Sequence, residues 1–289
     1  MHFENVKSIL SSKNGMNIYR GCTHGCIYCD SRSTCYQMNH EFEDVEVKLN
    51  APELLEYALI HKRERCMIGT GSMSDPYMPE EKKLLLTRRC LEIIDRYNFG
   101  ATVITKSDLI LRDIDLFKSI NSKTKSVVQM TLTTYDDDLC KILEPNVCVT
   151  SERFKTLQKF NKEGIPAVCW LSPVLPFIND TEENIRGIVR YCGESGVKGI
   201  IAFGIGLTLR DGDRQYFYKK LDEKFPGVKE KYISTYGNSY ELPVPDTNKL
   251  LQIFYDECRK YNIETDSGKI FSYLSEFEDK MMGEQFTFF

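Results

Sequence analysis

The 289-residue chain lacks an excess of basic residues. Lysine and arginine number 38 against 42 aspartate and glutamate, which gives a net charge of −4 and a pI near 5.7. A protein that coats duplex DNA is usually basic, so we expect any nucleic-acid contact to be local. The composition therefore does not favour nucleic acid as a partner.

Long apolar segments are also missing, and no leader sequence is predicted. The longest apolar runs, such as residues 199–209, reach about half of the roughly 20 residues that a membrane helix requires. The first residues show no basic region followed by an apolar stretch, the pattern of a secretory signal. We expect a cytoplasmic protein without membrane contact.

A second group of closely spaced cysteines is missing as well. The cysteines number 11, an odd count, so without export we expect reduced thiols rather than a disulfide framework. Eight of them are scattered, and such thiols usually pack as small buried hydrophobes. The pattern does not favour an auxiliary cluster, although scattered thiols can meet in space.

What the sequence does contain is an alternation of short β-branched runs with longer segments of helical periodicity. The predicted strands are residues 16–21, 66–69, 101–105, 126–133, 166–171 and 199–203. The predicted helices are residues 52–65, a helix opened by Pro79, 109–120, 151–163 capped by Ser151, and one capped by Asp180 that ends near Gly196. This order predicts an α/β fold: a parallel sheet with covering helices, closed in part as a (β/α)6 barrel of the TIM type.

After residue 206 the pattern changes to helices and turns. Helices are predicted at 213–225 and 246–261, with a tyrosine-rich turn region between them. The predicted organisation is an N-terminal segment 1–13, a barrel core 14–205, and a C-terminal helical extension 206–289 packed on the core. The aromatic residues 286–289 are predicted to form an edge strand or a core plug.

The remaining three cysteines stand together in residues 20–30, which read Arg-Gly-Cys-Thr-His-Gly-Cys-Ile-Tyr-Cys-Asp. Cys22, Cys26 and Cys29 thus have the spacing C-x3-C-x2-C. Three thiolates in one loop can hold three irons of a cubane cluster and leave the fourth iron without a protein ligand. An open iron suits a site that must bind a small molecule, whereas a simple electron carrier prefers four cysteines. A structural zinc site is the alternative, with His24 or Cys35 as its fourth ligand.

The triplet, with Tyr28 before its last cysteine, resembles the cluster loop of radical S-adenosylmethionine enzymes. Other stretches narrow the resemblance to the spore photoproduct lyase-like branch, also called DNA-repair-photolyase-like. Together they span about residues 14–205, and they are Asn17-Ile-Tyr-Arg-Gly-Cys22, Ser74-Asp-Pro-Tyr-Met-Pro79, Thr87-Arg-Arg-Cys-Leu-Glu92, Ile104-Thr-Lys-Ser107, Arg112-Asp113, Thr133-Thr134, and the segment from Gly164-Ile-Pro166 to Asn179-Asp180.

The resemblance implies the chemistry of that family. Its members carry a [4Fe-4S] cluster whose open iron chelates S-adenosylmethionine. An electron from the reduced cluster cleaves the cofactor to a 5′-deoxyadenosyl radical, which abstracts hydrogen from the substrate. The resemblance thus implies an oxygen-sensitive enzyme of a lyase-like kind, with flavodoxin or ferredoxin as a low-potential electron donor.

The resemblance also assigns cofactor contacts. The loop from Gly69 to Ser74, with Gly71 inside it, corresponds to the family's glycine-rich segment, and a strand-end turn is the simpler explanation. Ser74, Lys106 and Thr133 correspond to polar contacts of the methionine part.

Each of the remaining assignments also has a simpler rival. Lys106 could instead be a solvated lysine or part of a helix-end ion pair. Tyr28 would lie along the adenine, or else be a packing tyrosine. Asp75 would orient Lys106, or else cap the turn before Pro76.

Two positions depart from the branch. Spore photoproduct lyase has a cysteine where this chain has Ser72, and a tyrosine where it has Asp30. A hydroxyl is a poorer hydrogen-atom donor than a thiol, so the sequence favours a substrate other than spore photoproduct. A DNA or RNA lesion lyase whose donor has moved to Cys35, Cys140 or another thiol is the first alternative. A non-catalytic iron–sulfur or zinc module is the second.

Overall fold

The structure is a computed structural model that describes residues 1–71 and 73–281. Ser72 and the aromatic residues 286–289, for which an edge strand or core plug is predicted, lie outside the described residues. Within them the strands are β1 (His2–Glu4), β2 (Gly15–Met16), β3 (Tyr19–Arg20), β4 (Glu46–Lys48), β5 (Met67–Thr70), β6 (Gly100–Thr105), β7 (Ser126–Thr131), β8 (Ala167–Trp170), β9 (Gly199–Ile201), β10 (Gly206–Thr208) and β11 (Glu241–Pro243).

The α-helices connect these strands and continue beyond them. They are α1 (Ala51–Ile60), α2 (Glu81–Leu84), α3 (Leu86–Arg96), α4 (Ile114–Lys123), α5 (Asp137–Leu143), α6 (Thr150–Lys162), α7 (Glu182–Glu194), α8 (Asp213–Lys224), α9 (Val228–Tyr236), α10 (Thr247–Lys260) and α11 (Ser267–Ser275). Short 3-10 turns cover Asp30–Arg32, Thr34–Tyr36 and Asp108–Asp113.

Six parallel strands in the order β2-β5-β6-β7-β8-β9 form the main sheet. Each strand pairs with the next one along the barrel, and helices connect the strands from β5 to β9. The outer face of β6 places Ala101 and Val103 in a buried core with helix residues such as Leu91 and Phe117. The predicted partial (β/α)6 barrel is therefore confirmed.

Helix α11 packs on the inner face of this sheet. Its residues Ile270 and Leu274 form a buried cluster with Met67 of β5, Val127 of β7 and Val168 of β8. Because side chains alternate between the two faces of a strand, these positions are the ones that point away from the outer helices. The C-terminal part of the chain thus supplies part of the packing inside the barrel.

The first predicted strand, residues 16–21, is divided between two sheets. β2 begins the barrel, whereas β3 pairs antiparallel with β4, and β4 pairs in parallel with β1. The chain leaves the barrel at Asn17 and Ile18, where Lys48 donates its backbone N–H to the Ile18 carbonyl at 3.1 Å. The cysteine loop consequently follows the small sheet rather than the first barrel strand itself.

The helix predicted to begin at Pro79 is broken at Leu85, which has φ of 55°. The buried Glu81 carboxylate accepts the backbone N–H groups of Leu86 and Thr87, both at 3.1 Å. These are donors that the first turn of α3 leaves unsatisfied. A side chain from the preceding turn thus restarts the helix.

Other element boundaries also differ from the prediction. The helix predicted for 52–65 ends at Ile60, and the one predicted for 109–120 begins as a 3-10 turn. Thr181 rather than Asp180 caps α7, while the Ser151 hydroxyl bonds Asp137 instead of capping α6. Helices α5, α9 and α11 are not among the predicted elements, and α9 replaces most of the predicted turn region.

The C-terminal part meets the cysteine loop in a second apolar cluster. Ile27 and Tyr28 pack there with Leu207, Phe217 and Tyr232. At the other end of the chain, β1 lies beside β4. The division into segments 1–13, 14–205 and 206–289 stays a prediction. None of the helices within residues 1–71 and 73–281 has both the length and the apolar character to cross a bilayer.

The packing of α11 inside the barrel predicts a large effect of truncating Ile270, which is 3% exposed. Ile270→Ala should lower the free energy of unfolding in urea by about 2–4 kcal/mol, because a cavity is left in the cluster. Lys269→Ala, next to it and 72% exposed, is the matched control and should leave the midpoint unchanged. Equal midpoints for the two variants would contradict this packing.

Candidate active site

The cysteine loop, residues 21–29, is held on one side by the segment around Phe42. Gly21 has φ of 88°, and a Cβ there would lie 2.4 Å from the Phe42 carbonyl oxygen. The same oxygen accepts the backbone N–H of Cys22 at 3.1 Å. Only glycine allows this close approach, so Gly21 sets the direction in which the loop leaves β3.

The other side of the loop is held by the segment that follows α5. Ile27 donates its N–H to the Leu143 carbonyl at 3.0 Å, and Asn146 donates its own N–H to the His24 carbonyl at 3.1 Å. The Asn146 side chain donates to the Thr23 carbonyl at 2.9 Å. Backbone hydrogen bonds on both sides therefore fix the loop without using its thiols.

Cys22 and Cys26 are buried, Cys29 is partly buried, and the three thiols lie close enough to affect one another's pKa. Burial raises the pKa of Cys22 to about 12, and it also raises the pKa of Cys26 and of Cys29. Neighbouring cysteines of the triplet raise the pKa of Cys22 and Cys26 further. The backbone N–H groups of His24 and Asp75 act in the opposite sense and lower the pKa of Cys22. Buried thiolates of this kind need a bound cation, and N–H groups aimed at sulfur are typical of cluster sites.

The spacing of the sulfurs bears on which metal group fits. Among the described residues, the Sγ atoms of Cys22, Cys26 and Cys29 do not all lie within 4.8 Å of one another. A tetrahedral zinc with Zn–S bonds of about 2.3 Å needs its sulfurs roughly 3.8 Å apart. In a cubane each thiolate binds a different iron, so thiols that are not all within 4.8 Å of one another would move less to bind a cluster than to bind one zinc ion.

Neither residue considered as a fourth zinc ligand completes such a set. Cys35 is exposed, and its Sγ lies 3.2 Å from the Arg210 guanidinium. His24 is buried, with its Nδ1 3.5 Å from a carboxylate oxygen of Asp75. The donor set at this loop is three thiols, and the structure is consistent with a group that needs only three protein ligands.

Lys106 directly follows β6 and lies beside the cysteine loop. Its Nζ lies 6.0 Å from the centroid of the Tyr28 ring. Burial would lower the pKa of Lys106, but Cys26 and the Glu144 carboxylate raise it above its ordinary value. The ammonium group is thus kept charged next to the thiols, where it can bind an anionic ligand group.

Asp75 holds the backbone of Lys106 rather than its side chain. One carboxylate oxygen accepts the Lys106 N–H at 2.8 Å, and the other accepts the Thr105 hydroxyl at 2.6 Å and the Tyr77 N–H at 2.9 Å. Asp75 therefore caps the turn, as one of the two predicted roles requires, and it also connects the turn to the backbone at the end of β6.

Gly71 and Ser74 pack the loop after β5 against its neighbours. Gly71 has φ of 100°, and a Cβ there would come within 2.2 Å of the Ile104 carbonyl oxygen. The buried Ser74 donates its hydroxyl to the Tyr19 carbonyl at 2.8 Å. Ser74 thus connects this loop to β3, immediately before the cysteines.

Thr133 and Tyr28 share a buried partner, Glu144. The Thr133 hydroxyl lies 2.9 Å from the Tyr28 hydroxyl and 3.0 Å from Glu144, and Tyr28 also donates to Glu144. Both hydroxyl groups are committed to this network. In the structure Thr133 therefore holds the Tyr28 ring in position through the tyrosine hydroxyl group.

Glu144 forms a fully buried ion pair with Arg153 at 2.5 Å. Burial alone would raise the pKa of Glu144, but Arg153 and Lys106 lower it to about 2. Arg153 uses its other N–H groups on the carbonyls of Cys148, at 2.8 Å and 3.0 Å, and of Thr131, at 3.1 Å. Through these bonds the ion pair joins the segment after α5, which contains Glu144 and lies against the cysteine loop, to β7 and α6.

Sequence reasoning missed Glu144 and Arg153. One signal was available for Arg153: it shares the buried face of α6 with Thr150, Thr156 and Leu157, at helical spacing. An arginine on an apolar face must be paired when it is buried. No comparable pattern surrounds Glu144.

A cavity of about 790 Å³ opens beside the cysteine loop, within the range of roughly 300–1,000 Å³ that small-molecule sites occupy. Tyr28, Cys29 and Lys106 line it on the loop side. Of the other residues predicted to contact a cofactor, Gly71, Ser74 and Thr133 do not line this cavity. The opposite wall comes from the end of the barrel and the β10–β11 hairpin, and it includes Trp170, Phe203, Leu207, Glu241, Leu242 and Pro243.

Comparison with known proteins agrees with this arrangement. The family model of the Radical SAM superfamily matches residues 16–189, which is more than half of the chain. The chain belongs to the radical SAM superfamily. It is therefore an enzyme, and membership implies an iron–sulfur cluster and S-adenosylmethionine.

Related sequences come from archaea and bacteria. A protein of Methanocaldococcus jannaschii is 34% identical over 180 residues, which cover 62% of this chain and 66% of that protein, just under two thirds of its length. A protein of Mycobacterium tuberculosis is 26% identical over 250 residues, which cover 82% of this chain and 71% of that protein. Both relatives are described as uncharacterized.

Solved structures of spore photoproduct lyase share the fold. A cysteine-to-serine variant of that enzyme matches with a TM-score of 0.65 at 12% identity, over 89% of this chain and 77% of the other. Its complex with dinucleoside spore photoproduct has the same TM-score and identity, over 90% of this chain and 78% of the other. The predicted membership in the radical SAM superfamily is confirmed, and the spore photoproduct lyase structures show that the fold is shared.

The buried ion pair predicts a strong effect of removing one partner. Arg153→Leu should lower the free energy of unfolding by about 3–5 kcal/mol, because the Glu144 carboxylate is left buried and unpaired. Lys155→Leu, on the same helix and in an exposed pair with Glu152, is the control and should leave the urea midpoint in place. A midpoint for Arg153→Leu that matches the control would show that the pair contributes nothing.

Proposed function

We propose that Cys22, Cys26 and Cys29 hold a [4Fe-4S] cluster with one open iron, at which S-adenosylmethionine binds. The observation that carries this proposal is the set of three thiols in one short loop, Cys22 and Cys26 buried and Cys29 lining a large cavity, beside the Lys106 ammonium group. When bound and reduced, such a cluster supplies the electron that cleaves the cofactor to a 5′-deoxyadenosyl radical, which abstracts hydrogen from the substrate.

The chain's own residues would bind and orient the cofactor. Lys106, held charged and fixed through Asp75, is suited to the cofactor carboxylate. The ring of Tyr28, fixed by Thr133 and Glu144, is suited to the adenine. The loop containing Gly71 and Ser74 would present its backbone to the methionine part, next to β3.

Two features of the sequence support a reaction other than spore photoproduct repair. Ser72 replaces a cysteine of that enzyme, and the chain carries no net positive charge for a DNA backbone. A DNA or RNA lesion lyase is the alternative function, and a non-catalytic module is the second. The chemistry further calls for a low-potential electron donor of the flavodoxin or ferredoxin type.

An anaerobic assay tests the function. Protein reconstituted with iron and sulfide, given S-adenosylmethionine and dithionite without substrate, should release 5′-deoxyadenosine, measured by mass spectrometry. Cys26→Ala should abolish both this product and the visible absorbance of the cluster, because a cubane left with two thiolates loses an anchoring iron ligand.

Cys66→Ser is the matched control for that experiment. Cys66 precedes β5, away from the cysteine loop, so iron content and product formation should equal those of the unchanged protein. Full iron content in Cys26→Ala, or zinc in place of iron in protein purified without oxygen, would overturn the cluster assignment.

The role of Lys106 has its own test in cofactor affinity. Lys106→Met should weaken S-adenosylmethionine binding to the iron-loaded protein about 10- to 100-fold, because one charge-assisted hydrogen bond is lost. Lys82→Met, an exposed lysine on α2, is the control. Equilibrium dialysis with labelled cofactor, together with iron analysis, measures both. Unchanged affinity in Lys106→Met with full iron content would remove this residue from the site.

A further inference from the structure

A second group of metal-ligating side chains lies outside the cysteine loop. His2, His40 and Asp44 each offer a donor atom, and these atoms all lie within 4.8 Å of one another. His2 is in β1, whereas the other two belong to the segment before β4. Within the described residues, no other three histidine, cysteine or carboxylate side chains have donor atoms that lie this close together.

His40 shows the hydrogen-bonding pattern of a metal ligand. Its Nδ1 lies 2.9 Å from the Glu41 carbonyl, which can only accept, so Nδ1 carries the proton. The lone pair is then on Nε2, which is buried and has no hydrogen-bond partner. Histidines that bind metals typically donate their other ring N–H to a carbonyl or carboxylate in this way.

A charged group close to that nitrogen is also an acceptor. A carboxylate oxygen of Glu46 lies 3.8 Å from Nε2 of His40. Two acceptors with no donor between them repel each other, and the His40 side chain is only 11% exposed, so water relieves this little. A cation between them satisfies both.

His2 and Asp44 complete the set from the solvent side. His2 Nδ1 lies 3.0 Å from Asp44 Oδ2, and the rings of His2 and His40 meet edge to face with centroids 4.7 Å apart. The side chains of His2 and Asp44 are 34% and 44% exposed, respectively. The N-terminal ammonium group pairs with Oδ1 of Asp44, so Oδ2, which faces His2, is the oxygen that can bind a shared ion while His40 stays fixed.

We propose that His2, His40 and Asp44 bind one divalent first-row transition ion, with Glu46 as a further carboxylate beside it. Two imidazoles and carboxylate oxygens are the donors that zinc and its neighbours accept. Donor atoms around tetrahedral zinc stand roughly 3.3 Å apart, so small rotations of the two exposed side chains close the site.

Such an ion would brace the segment that supports the cysteine loop. Phe42 lies between His40 and Asp44, and its carbonyl accepts the Cys22 N–H at 3.1 Å. Its ring also packs on the Arg32 guanidinium, 4.2 Å from the centroid. The ion would join β1 to this segment and leave the three thiols free for their own ligand.

Zinc binding to the full-length, iron-loaded protein tests the proposal. In anaerobic, metal-free buffer, isothermal titration with zinc chloride should show one ion per chain, with no loss of iron or of cluster absorbance. His40→Ala should weaken this binding at least tenfold. His61→Ala is the matched control, since His61 is an exposed histidine bonded to the Tyr57 carbonyl and distant in sequence from the set, and it should bind zinc like the unchanged protein.

X-ray absorption at the zinc edge identifies the ligands independently. The proposal requires nitrogen and oxygen neighbours at about 2.0–2.2 Å and no sulfur at about 2.3 Å. Sulfur ligands, or equal binding in His40→Ala and the unchanged protein, would place the ion on thiols and overturn the proposal. Absence of binding would overturn it too and favour a protonated His40 paired with Glu46. None of these outcomes depends on whether S-adenosylmethionine is cleaved.

Discussion

The buried ion pair between Glu144 and Arg153 is the interaction on which the arrangement of the site depends. Glu144 accepts from Tyr28 and Thr133, and its carboxylate lies close enough to Lys106 to favour the charged ammonium. A carboxylate without Arg153 would be too costly to bury here, and the groups that it orients would lose their common partner. One pair of opposite charges thus sets the positions of an aromatic ring, a hydroxyl and a lysine.

The same region of the chain also determines where the cysteines stand. The residues after Glu144 hydrogen-bond to the backbone of the cysteine loop, while Phe42 holds its other side. Because these bonds are made by the backbone, they restrict the loop without engaging sulfur. A preorganised loop of this kind lowers the entropy that metal binding must overcome.

The C-terminal part of the chain has two different roles around this loop. Helix α11 fills the inner face of the sheet with Ile270 and Leu274. The β10–β11 hairpin instead forms a wall of the cavity beside Tyr28 and Lys106. The barrel is consequently packed on one part of its inner face and open where the site lies, as expected for ligands at the carboxyl ends of parallel strands.

Local sequence patterns predicted which strands and helices exist better than where they begin and end. The β-branched runs that became β6 and β7 stand out because buried parallel strands are apolar on both faces. The break at Leu85 depends instead on Glu81, whose side chain caps the next helix only because Tyr19 and Arg112 hold it in the core. Helix α9 is another such case, since its buried Tyr232 gains its partners from distant parts of the chain.

The sequence by itself determined that three thiols share one short loop and in which order the barrel elements follow, because both follow from spacing along the chain. Three thiols within eight residues must lie near one another, and alternating periodicities must form strands and helices. Only the tertiary structure decided which distant groups complete the site. Tyr28 meets Glu144 across 116 positions, and His2 meets Asp44 across 42. Such pairs exist because burial removes water as a competing partner, and no local pattern records which two groups will be buried together.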